Sequence, residues 1–301
     1  MSGICEGRVV IITGAGRGLG REHALAFAAE GAKVVVNDYG VTGDGREPSS
    51  EPANQVAAAI REAGGEAIAS GEDVADWEGS GRLVKAAIDA FGGLDVVVNN
   101  AGILRDRMFV SSSVDEWDAV LRVHLRGHYC VSRHAAAYWR AEAKAGRLPD
   151  ARIINTSSGA GLQGSVAQAA YSAAKGGIAS LTLVQAAEMG RYGITANAIA
   201  PVARTRMTES LFGEMMAEPE DGFDGFHPAN VSPLVVWLGS ADSADVTGQV
   251  FETAGGRISI CDGWRTGPFE DIQRRFTPAE VGPAVRRLMG DVIPPQKVWG
   301  S

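Results

Sequence analysis

Short segments rich in valine and isoleucine alternate with longer amphipathic segments along most of the chain. The short segments include the near-continuous apolar runs 34–36 and 96–98, which are typical of parallel strands buried on both faces. Parallel neighbours need crossover connections, and helices supply them. The sequence therefore predicts an α/β fold, a doubly wound parallel sheet of about seven strands with helices on both faces. The predicted strands are residues 8–13, 33–37, 66–70, 95–99, 152–156, 194–199 and 250–253.

The longer segments repeat apolar residues at intervals of three and four, the period of an amphipathic helix. Two stretches interrupt this pattern: a polar loop at 40–52, and a proline-containing tail that starts near residue 259. Loops of such length are usually functional or mobile. The predicted helices are residues 21–30, 55–63, 79–91, 114–142 and 168–191.

Composition excludes several classes of function. The 301-residue chain has a net charge of -8, which argues against a nucleic acid or an anionic membrane as a partner. Its three cysteines lie far apart, so neither a disulfide framework nor a metal cluster is expected. No secretion signal and no apolar run of membrane-spanning length is apparent. These features favour a reducing, cytoplasmic location.

A glycine-rich turn follows the first predicted strand and precedes a helix. Glycines at 14, 18 and 20 come after Thr13, whereas Leu19 breaks the common G-x-G-x-x-G pattern. In this position backbone N–H groups and the positive end of the helix can approach a pyrophosphate. The alternative is a tight strand-to-helix turn without a ligand.

Tyr171 and Lys175 are four residues apart in a predicted helix, so their side chains leave from one face. An ammonium beside a phenol favours the phenolate and lowers the pKa of the phenol towards working pH. Ser158, thirteen residues before Tyr171 at the end of a predicted strand, can bind the same substrate oxygen; its neighbour Ser157 is the less favoured candidate. The alternative is an ordinary surface Tyr and Lys on an alanine-rich helix.

Together these motifs resemble the short-chain dehydrogenase/reductase family. The turn fits that family's T-G-x-x-x-G-x-G pattern, and the segment Asn99-Asn-Ala-Gly102 is similar to its NNAG motif. The resemblance implies a Rossmann-type fold and an oxidoreductase acting on a CH–OH group. It implies that Tyr171 is the general acid/base, that Lys175 lowers the pKa of the phenol and binds the nicotinamide ribose, and that Ser158 anchors the substrate oxygen.

The resemblance also implies a set of cofactor contacts. Asp38, at the end of the second predicted strand, can accept two hydrogen bonds from a ribose diol and repels a 2'-phosphate, so NAD is favoured over NADP. The Arg17 guanidinium could partly offset that repulsion. Asp73 has the alternative role of capping the next helix. The implied contacts are Gly14, Arg17, Gly18, Leu19, Gly20, Asp38, Asp73, Val74, Asn100, Ala101, Gly102, Tyr171, Lys175, Pro201 and Thr205.

His124 replaces the asparagine that the family places fourth in its active site. Two interpretations stay open, a polar support of the helix and a member of a proton relay. This histidine and the segment 103–107 make the chain similar to the (3R)-hydroxyacyl-CoA dehydrogenase units of peroxisomal multifunctional enzymes. One departure is Val202 after Pro201, where many relatives have glycine.

The substrate side is expected near residues 205–228, as a methionine-rich lid suited to a lipid acyl or sterol-like group. A short helix packed on the core is the alternative. We expect a 3-hydroxyacyl-CoA as the substrate; the alternatives are a hydroxysteroid dehydrogenase, a 3-ketoacyl reductase and a catalytically silent NAD-binding scaffold. The lid candidates are Met207, Leu211, Phe212, Met215 and Met216, and the candidate CoA contacts are Arg105, Arg107, Arg204 and Arg206.

The predicted organisation is one NAD-binding domain over residues 1–258 and a C-terminal extension over 259–301 packed on the same domain. The helices at 114–142 and 168–191 correspond to those that pair subunits in the family. A homodimer or homotetramer is therefore expected.

Overall fold

A computed structural model describes residues 3–40, 49–205, 216–294 and 296–301. Eight strands form a single sheet in the order β3-β2-β1-β4-β5-β6-β7-β8. All neighbouring strands are parallel except β7 and β8, which are antiparallel. The strands are β1 Val9–Thr13, β2 Lys33–Asn37, β3 Glu66–Ser70, β4 Val96–Asn99, β5 Ala151–Thr156, β6 Ile194–Val202, β7 Val250–Ala254 and β8 Arg257–Ile260.

Helices connect the parallel strands and cover both faces of the sheet. In the part of the chain that the structure describes, no helix is long and apolar enough to cross a membrane. The helices are α1 Gly18–Ala29, α2 Glu51–Glu62, α3 Trp77–Phe91, α4 Val114–Leu121, α5 Gly127–Lys144, α6 Gly159–Gln163, α7 Ala169–Met189, α8 Ser232–Gly239 and α9 Pro278–Asp291.

Two apolar cores lie on opposite faces of the sheet. Alternate residues of one strand enter different cores, since successive side chains point to opposite faces. In β2, Val34 and Val36 join the core that contains Phe27, whereas Val35 joins the core that contains Trp139. This burial on both faces explains the continuous apolar runs and confirms the predicted doubly wound sheet.

The seven predicted strands are all present, and an eighth was missed. β8 follows β7 after a two-residue turn whose first residue, Gly255, has a φ of +55°. Three of the four residues of β8 are exposed, so it carries little of the apolar pattern that marks a buried strand. The predicted polar loop at 40–52 is also shorter than expected, because α2 begins at Glu51; residues 41–48 lie outside the described part of the chain.

The predicted helix 114–142 is interrupted. One turn of π-helix, Arg122–Arg126, separates α4 from α5. Such turns are rare and occur frequently at functional sites. This one contains His124, so the turn sets where that imidazole enters the protein.

The chain order of the strands reverses between β1 and β4, which creates a crevice at their carboxyl ends. The glycine turn follows β1, Asn100 follows β4, and Ser158 follows β5 by two residues. The fold therefore brings the sequence motifs to one edge of the sheet.

Candidate active site

The glycine turn allows three chain segments to approach one another closely. Gly14 has a φ of +62°, and a Cβ atom there would lie 2.8 Å from the Cα of Ala101. A Cβ atom on Gly20 would lie 2.2 Å from the carbonyl oxygen of Gly14. Larger residues at these positions would force the end of β1 away from α1 and from the segment after β4. Thr205 lies across the turn, since its Cγ2 is 3.6 Å from where a Cβ on Gly18 would sit.

The N-terminus of α1 begins at the glycine turn. Arg17 occupies its N-cap position and makes no capping hydrogen bond through its side chain. By contrast, Asp76 caps α3 and Ser113 caps α4. The backbone N–H groups at this end of the helix and the glycine turn fit the pyrophosphate of a dinucleotide.

Asp38 stands at the end of β2 and faces the turn. Its Oδ2 accepts a hydrogen bond from the Gly16 N–H at 2.8 Å, and its Oδ1 accepts one from Gly40 at 2.7 Å. A Cβ atom on Gly16 would lie only 2.7 Å from Oδ2. Sequence reasoning singled out glycines 14, 18 and 20 and missed Gly16, whose role depends on a carboxylate 22 residues away.

The asparagines after β4 support the crevice. The Asn100 amide donates hydrogen bonds to the carbonyl oxygens of Thr13 and Gly14 at 3.0 and 3.2 Å. The Thr13 hydroxyl accepts the backbone N–H groups of Asn100 and Ala101 at 2.9 and 3.1 Å. Thr13 thus fixes the spacing between β1 and β4, a role that sequence reasoning did not assign to it.

Asp73 lies after β3 with both carboxylate oxygens engaged. Oδ1 accepts the N–H of Ala75 at 2.8 Å, and Oδ2 pairs with Arg122 at 2.6 Å. The helix cap proposed as its alternative role is made instead by Asp76, which accepts the N–H of Gly79. The neighbouring Val74 is buried against Gly127.

Ser158 and Ser157 have different roles. The Ser157 hydroxyl is buried and donates to the carbonyl oxygen of Lys175 at 2.9 Å, which ties β5 to α7. Ser158 is the N-cap of α6 and accepts the N–H of Ala160 at 3.2 Å, and its hydroxyl lies close enough to Tyr171 to lower the pKa of the phenol. The structure therefore pairs Ser158, rather than Ser157, with the phenol.

Tyr171 and Lys175 share one face of α7, with the Lys175 Nζ 5.5 Å from the centre of the phenol ring. The ammonium donates to the carbonyl oxygen of Thr156 at 2.6 Å, and burial lowers the pKa of Lys175 to about 7. Burial raises the pKa of Tyr171, while its hydrogen bond with Ser158 lowers it and the charge of Asp106 raises it. Desolvation is therefore the largest effect on the phenol pKa, and the lowering of that pKa by Lys175 stays a prediction.

His124 is buried and neutral. Its Nε2 lies between the backbone N–H and C=O of Ile103, at 3.0 and 2.8 Å, and bonds one of them according to its tautomer. Burial and the nearby Lys175 charge lower the pKa of His124 to about 3, although the Ile103 hydrogen bond acts in the opposite direction. The ring stands edge-on to Tyr171, with centroids 5.2 Å apart.

A Cβ atom on Gly102 would lie 2.2 Å from the His124 ring, so this glycine makes room for the imidazole. The Nδ1 atom of His124 is buried and has no hydrogen-bond partner among the residues that the structure describes. An imidazole with a pKa near 3 stays neutral at working pH. The geometry favours the support interpretation over a relay that charges the ring.

Asp106 adds a half-buried carboxylate that sequence reasoning did not count among the site residues. Both of its oxygens lie 3.2 Å from the Gln168 amide nitrogen, just before α7. Burial raises the pKa of Asp106, and the Gln168 hydrogen bond opposes that shift. Sequence reasoning named the segment 103–107 for its resemblance to other dehydrogenases but gave Asp106 no role.

The candidate CoA contacts have different surroundings. Arg204 forms a largely buried ion pair with Asp224 and donates to the carbonyl oxygen of Met216, so its charge is balanced within the protein. Arg107 is mostly exposed and pairs with Glu116 at 3.1 Å, and Arg105 donates to its neighbour's carbonyl oxygen. Met216 is buried. The remaining candidates, Arg206, Met207, Leu211, Phe212 and Met215, lie outside the described residues.

Comparison with known proteins gives consistent matches. Residues 8–215 match the short chain dehydrogenase family. A hydroxyacyl-CoA dehydrogenase of Mycobacterium tuberculosis is 46% identical over 257 residues, which cover 85% of this chain and 80% of that protein. The peroxisomal multifunctional enzyme type 2 of Mus musculus is 46% identical over 253 residues; this stretch covers 84% of this chain but only 32% of the mouse enzyme.

A solved structure extends the likeness to nearly the full length. The crystal structure of a short chain dehydrogenase from Mycobacterium avium superposes with a TM-score of 0.91 at 60% sequence identity. The match covers 99% of this chain and 100% of that chain. The Mycobacterium avium protein is thus similar to this chain in fold over nearly its whole length, including the C-terminal region.

Burial of Lys175 predicts a specific pH dependence of stability. The unfolded chain holds the lysine proton up to the ordinary pKa of 10.5, whereas the folded protein releases it near 7. Between these values the unfolded state binds more protons, so the free energy of unfolding should rise with pH. Below about 7 both states are protonated and the cost of burying the charge is present in full.

Urea unfolding near pH 7 and near pH 9.5 would measure this effect. The free energy of unfolding should rise between the two pH values more for the native protein than for Lys175→Met. The control variant Lys144→Met, which removes an exposed lysine, should show the same rise as the native protein. An identical pH dependence for the native protein and Lys175→Met would contradict the prediction.

Proposed function

The chain belongs to the short chain dehydrogenase family, and from that premise we propose that it is an NAD-dependent 3-hydroxyacyl-CoA dehydrogenase of lipid or sterol side-chain metabolism. As a family member it is an oxidoreductase that uses a nicotinamide cofactor. The observation that carries the proposal is the contact between Ser158, Tyr171 and Lys175 beside the dinucleotide crevice. The substrate class is supported by the name of the tuberculosis relative, a hydroxyacyl-CoA dehydrogenase.

In the proposed mechanism Ser158 and Tyr171 bind the substrate hydroxyl together. The effect of Ser158 on the phenol pKa of Tyr171 supports the proposal that the two side chains share one substrate oxygen. When bound, the nicotinamide ring supplies the hydride acceptor for oxidation of the alcohol. Tyr171 takes the hydroxyl proton in that direction and returns it when a ketone is reduced. The Ser158 hydrogen bond favours the phenolate that this step needs.

Lys175 and His124 have supporting roles in this proposal. The Lys175 ammonium is anchored on Thr156, one turn from Tyr171, where it can also bind a ribose hydroxyl. With a pKa near 7 it exchanges protons readily at working pH. His124 holds the Ile103 backbone at the edge of the site, so it is a positioning residue rather than a proton donor.

NAD is proposed over NADP because of Asp38. Its carboxylate lies at the end of β2, where an adenosine ribose is bound in dinucleotide folds. A 2'-phosphate there would be repelled by the negative charge. Arg17 is exposed at the start of α1 and opposes that repulsion in part.

A homodimer or homotetramer in the cytoplasm completes the proposal. Three large apolar side chains on α5 and α7 are about half exposed: Tyr129, Leu183 and Val184. These are the helices that the sequence marks for subunit pairing. The three free cysteines agree with a reducing compartment.

Replacement of Tyr171 tests the chemistry. Tyr171→Phe should lower kcat by at least about 10²-fold, the smallest effect expected on removing a general acid/base. Affinity for NAD, measured by fluorescence titration, should stay within about twofold because the phenol oxygen is the only atom removed. Turnover close to the native value would contradict the assigned role.

Cofactor choice tests Asp38. The native enzyme should have a higher kcat/KM with NAD than with NADP. Asp38→Ala should lower the ratio of these two kcat/KM values by at least about tenfold, because the charge that repels the 2'-phosphate is lost. Steady-state assays at saturating alcohol compare the two cofactors, with Asp73→Ala as the control for loss of a nearby carboxylate. Equal use of both cofactors by the native enzyme would show that Arg17 dominates.

Substrate class is tested by comparing a 3-hydroxyacyl-CoA with the same hydroxy acid lacking CoA. The CoA ester should have the higher kcat/KM because remote contacts help to position the reacting carbon. Arg105→Gln or Arg107→Gln should reduce that advantage more than it affects the free acid. If a free sterol is the best substrate in parallel NADH assays, the enzyme is a hydroxysteroid dehydrogenase instead.

Light scattering tests the assembly. A species of at least twice 31.4 kDa is expected at micromolar concentration. Leu183→Glu should shift the protein towards the monomer, since a charge would enter the apolar interface. A purely monomeric native protein would contradict this part of the proposal.

A further inference from the structure

The last residues of the chain return to the loop that follows the catalytic serine. The N–H of Val166 donates to the carbonyl oxygen of Trp299 at 2.9 Å, and the N–H of Trp299 donates to that of Gly164 at 3.2 Å. Ser165 and Trp299 form a parallel bridge. Residues near Trp299 are therefore joined by backbone hydrogen bonds to the segment between α6 and α7.

The indole of Trp299 lies beside the active site. Its Cζ2 is 3.5 Å from where a Cβ on Gly159 would sit, and Gly159 directly follows Ser158. Trp299 is partly buried, whereas two other aromatic residues of the tail, Trp264 and Phe269, are 101% and 80% exposed. Contact with the segment that follows Ser158 thus distinguishes Trp299 from these two aromatic residues.

The same loop is held on its other side by the segment after β4. The N–H of Arg107 donates to the carbonyl oxygen of Ala167 at 2.8 Å, and Arg107 forms a bridge with Gln168. Ala167 has a φ of +63°, a left-handed conformation that is unfavourable for a residue with a Cβ. Such a conformation persists where surrounding contacts fix it, here on both sides of the loop.

Exposed apolar side chains lie on both sides of the segment that joins Ser158 to Tyr171. Beside Trp299, Val298 and Val166 are each about 40% exposed, and on the other flank Met108 and Phe109 are 56% and 77% exposed. This apolar rim surrounds the loop that joins Ser158 to Tyr171. Apolar surface at the edge of a substrate cleft suits the hydrocarbon part of a substrate.

We propose that Trp299 forms one wall of the substrate cleft and selects alcohols that carry a long or bulky acyl group. The inference rests on the proposed function, in which Ser158 and Tyr171 bind the reacting hydroxyl. A flat indole fixed one residue from Ser158 gives apolar contact beyond the reacting carbon. Short substrates end before they reach this wall, so their turnover does not depend on it.

The test compares three full-length variants. Trp299→Ala removes the wall, Trp299→Phe keeps a planar apolar ring, and Trp264→Ala is the matched control for loss of a tail tryptophan. Each is assayed with NAD and with 3-hydroxybutyryl-CoA or 3-hydroxypalmitoyl-CoA. Hydrogen exchange of the peptide covering residues 159–168 is measured on the same samples.

Trp299→Ala should lower kcat/KM for 3-hydroxypalmitoyl-CoA by about tenfold or more, which is the scale of a lost apolar contact in a pocket. It should change kcat/KM for 3-hydroxybutyryl-CoA by less than about twofold. Trp299→Phe should recover most of the loss, and Trp264→Ala should match the native enzyme. Exchange over 159–168 should be faster in Trp299→Ala alone. An equal loss for both substrates would overturn substrate selection and indicate support of the Ser158 loop instead.

Unchanged kinetics and unchanged exchange in Trp299→Ala would overturn the inference altogether. This result can be told apart from failure of the proposed function. If the proposed function is wrong, the native enzyme itself is inactive with both CoA esters. In that case the variants are compared on a bulky and a small secondary alcohol that the native enzyme oxidises. Loss confined to the bulky alcohol would still support the wall, and loss on neither would refute it.

Discussion

A buried chain of amide and hydroxyl hydrogen bonds fixes α7, the helix that carries Tyr171 and Lys175, to the sheet. Asn99 on β4 donates to Asn155 on β5 at 2.9 Å and to Ser132 on α5 at 2.8 Å. Asn155 in turn donates to Thr182 and Gln185 on α7 at 2.9 and 2.7 Å. Because unpaired polar groups are costly in an apolar interior, α7 has few alternative positions that satisfy all of these groups. The positions of Tyr171 and Lys175 depend on this constraint.

Burial rather than charge pairing dominates the electrostatics of the site. Desolvation is the largest effect on the pKa values of His124, Tyr171 and Lys175, and in each case it disfavours the charged form. The groups that favour the phenolate must act against this background, and Ser158 lowers the phenol pKa. Burial thus biases these three side chains towards their neutral forms.

The extension beyond residue 258 is best understood through its two attachments. β8 is antiparallel to β7 and adds an edge strand to the sheet. At the other end, Trp299 pairs with the loop between α6 and α7. Both contacts are made by backbone hydrogen bonds, which place no strict demand on side-chain type. A tail with little apolar periodicity can therefore still have defined ends on the domain.

The sequence by itself determined the local features of this protein. Short runs rich in valine and isoleucine that alternate with helical patterns located seven strands, and the four-residue spacing placed Tyr171 and Lys175 on one helical face. The tertiary structure decided what depends on residues far apart in the chain: the contact of Gly16 with Asp38, the helix cap by Asp76 in place of Asp73, and the return of Trp299 to the segment that follows Ser158. It also decided the burial that raises the pKa of Tyr171, because that burial arises only when the elements pack. Local periodicity carries the first kind of information, and long-range packing creates the second.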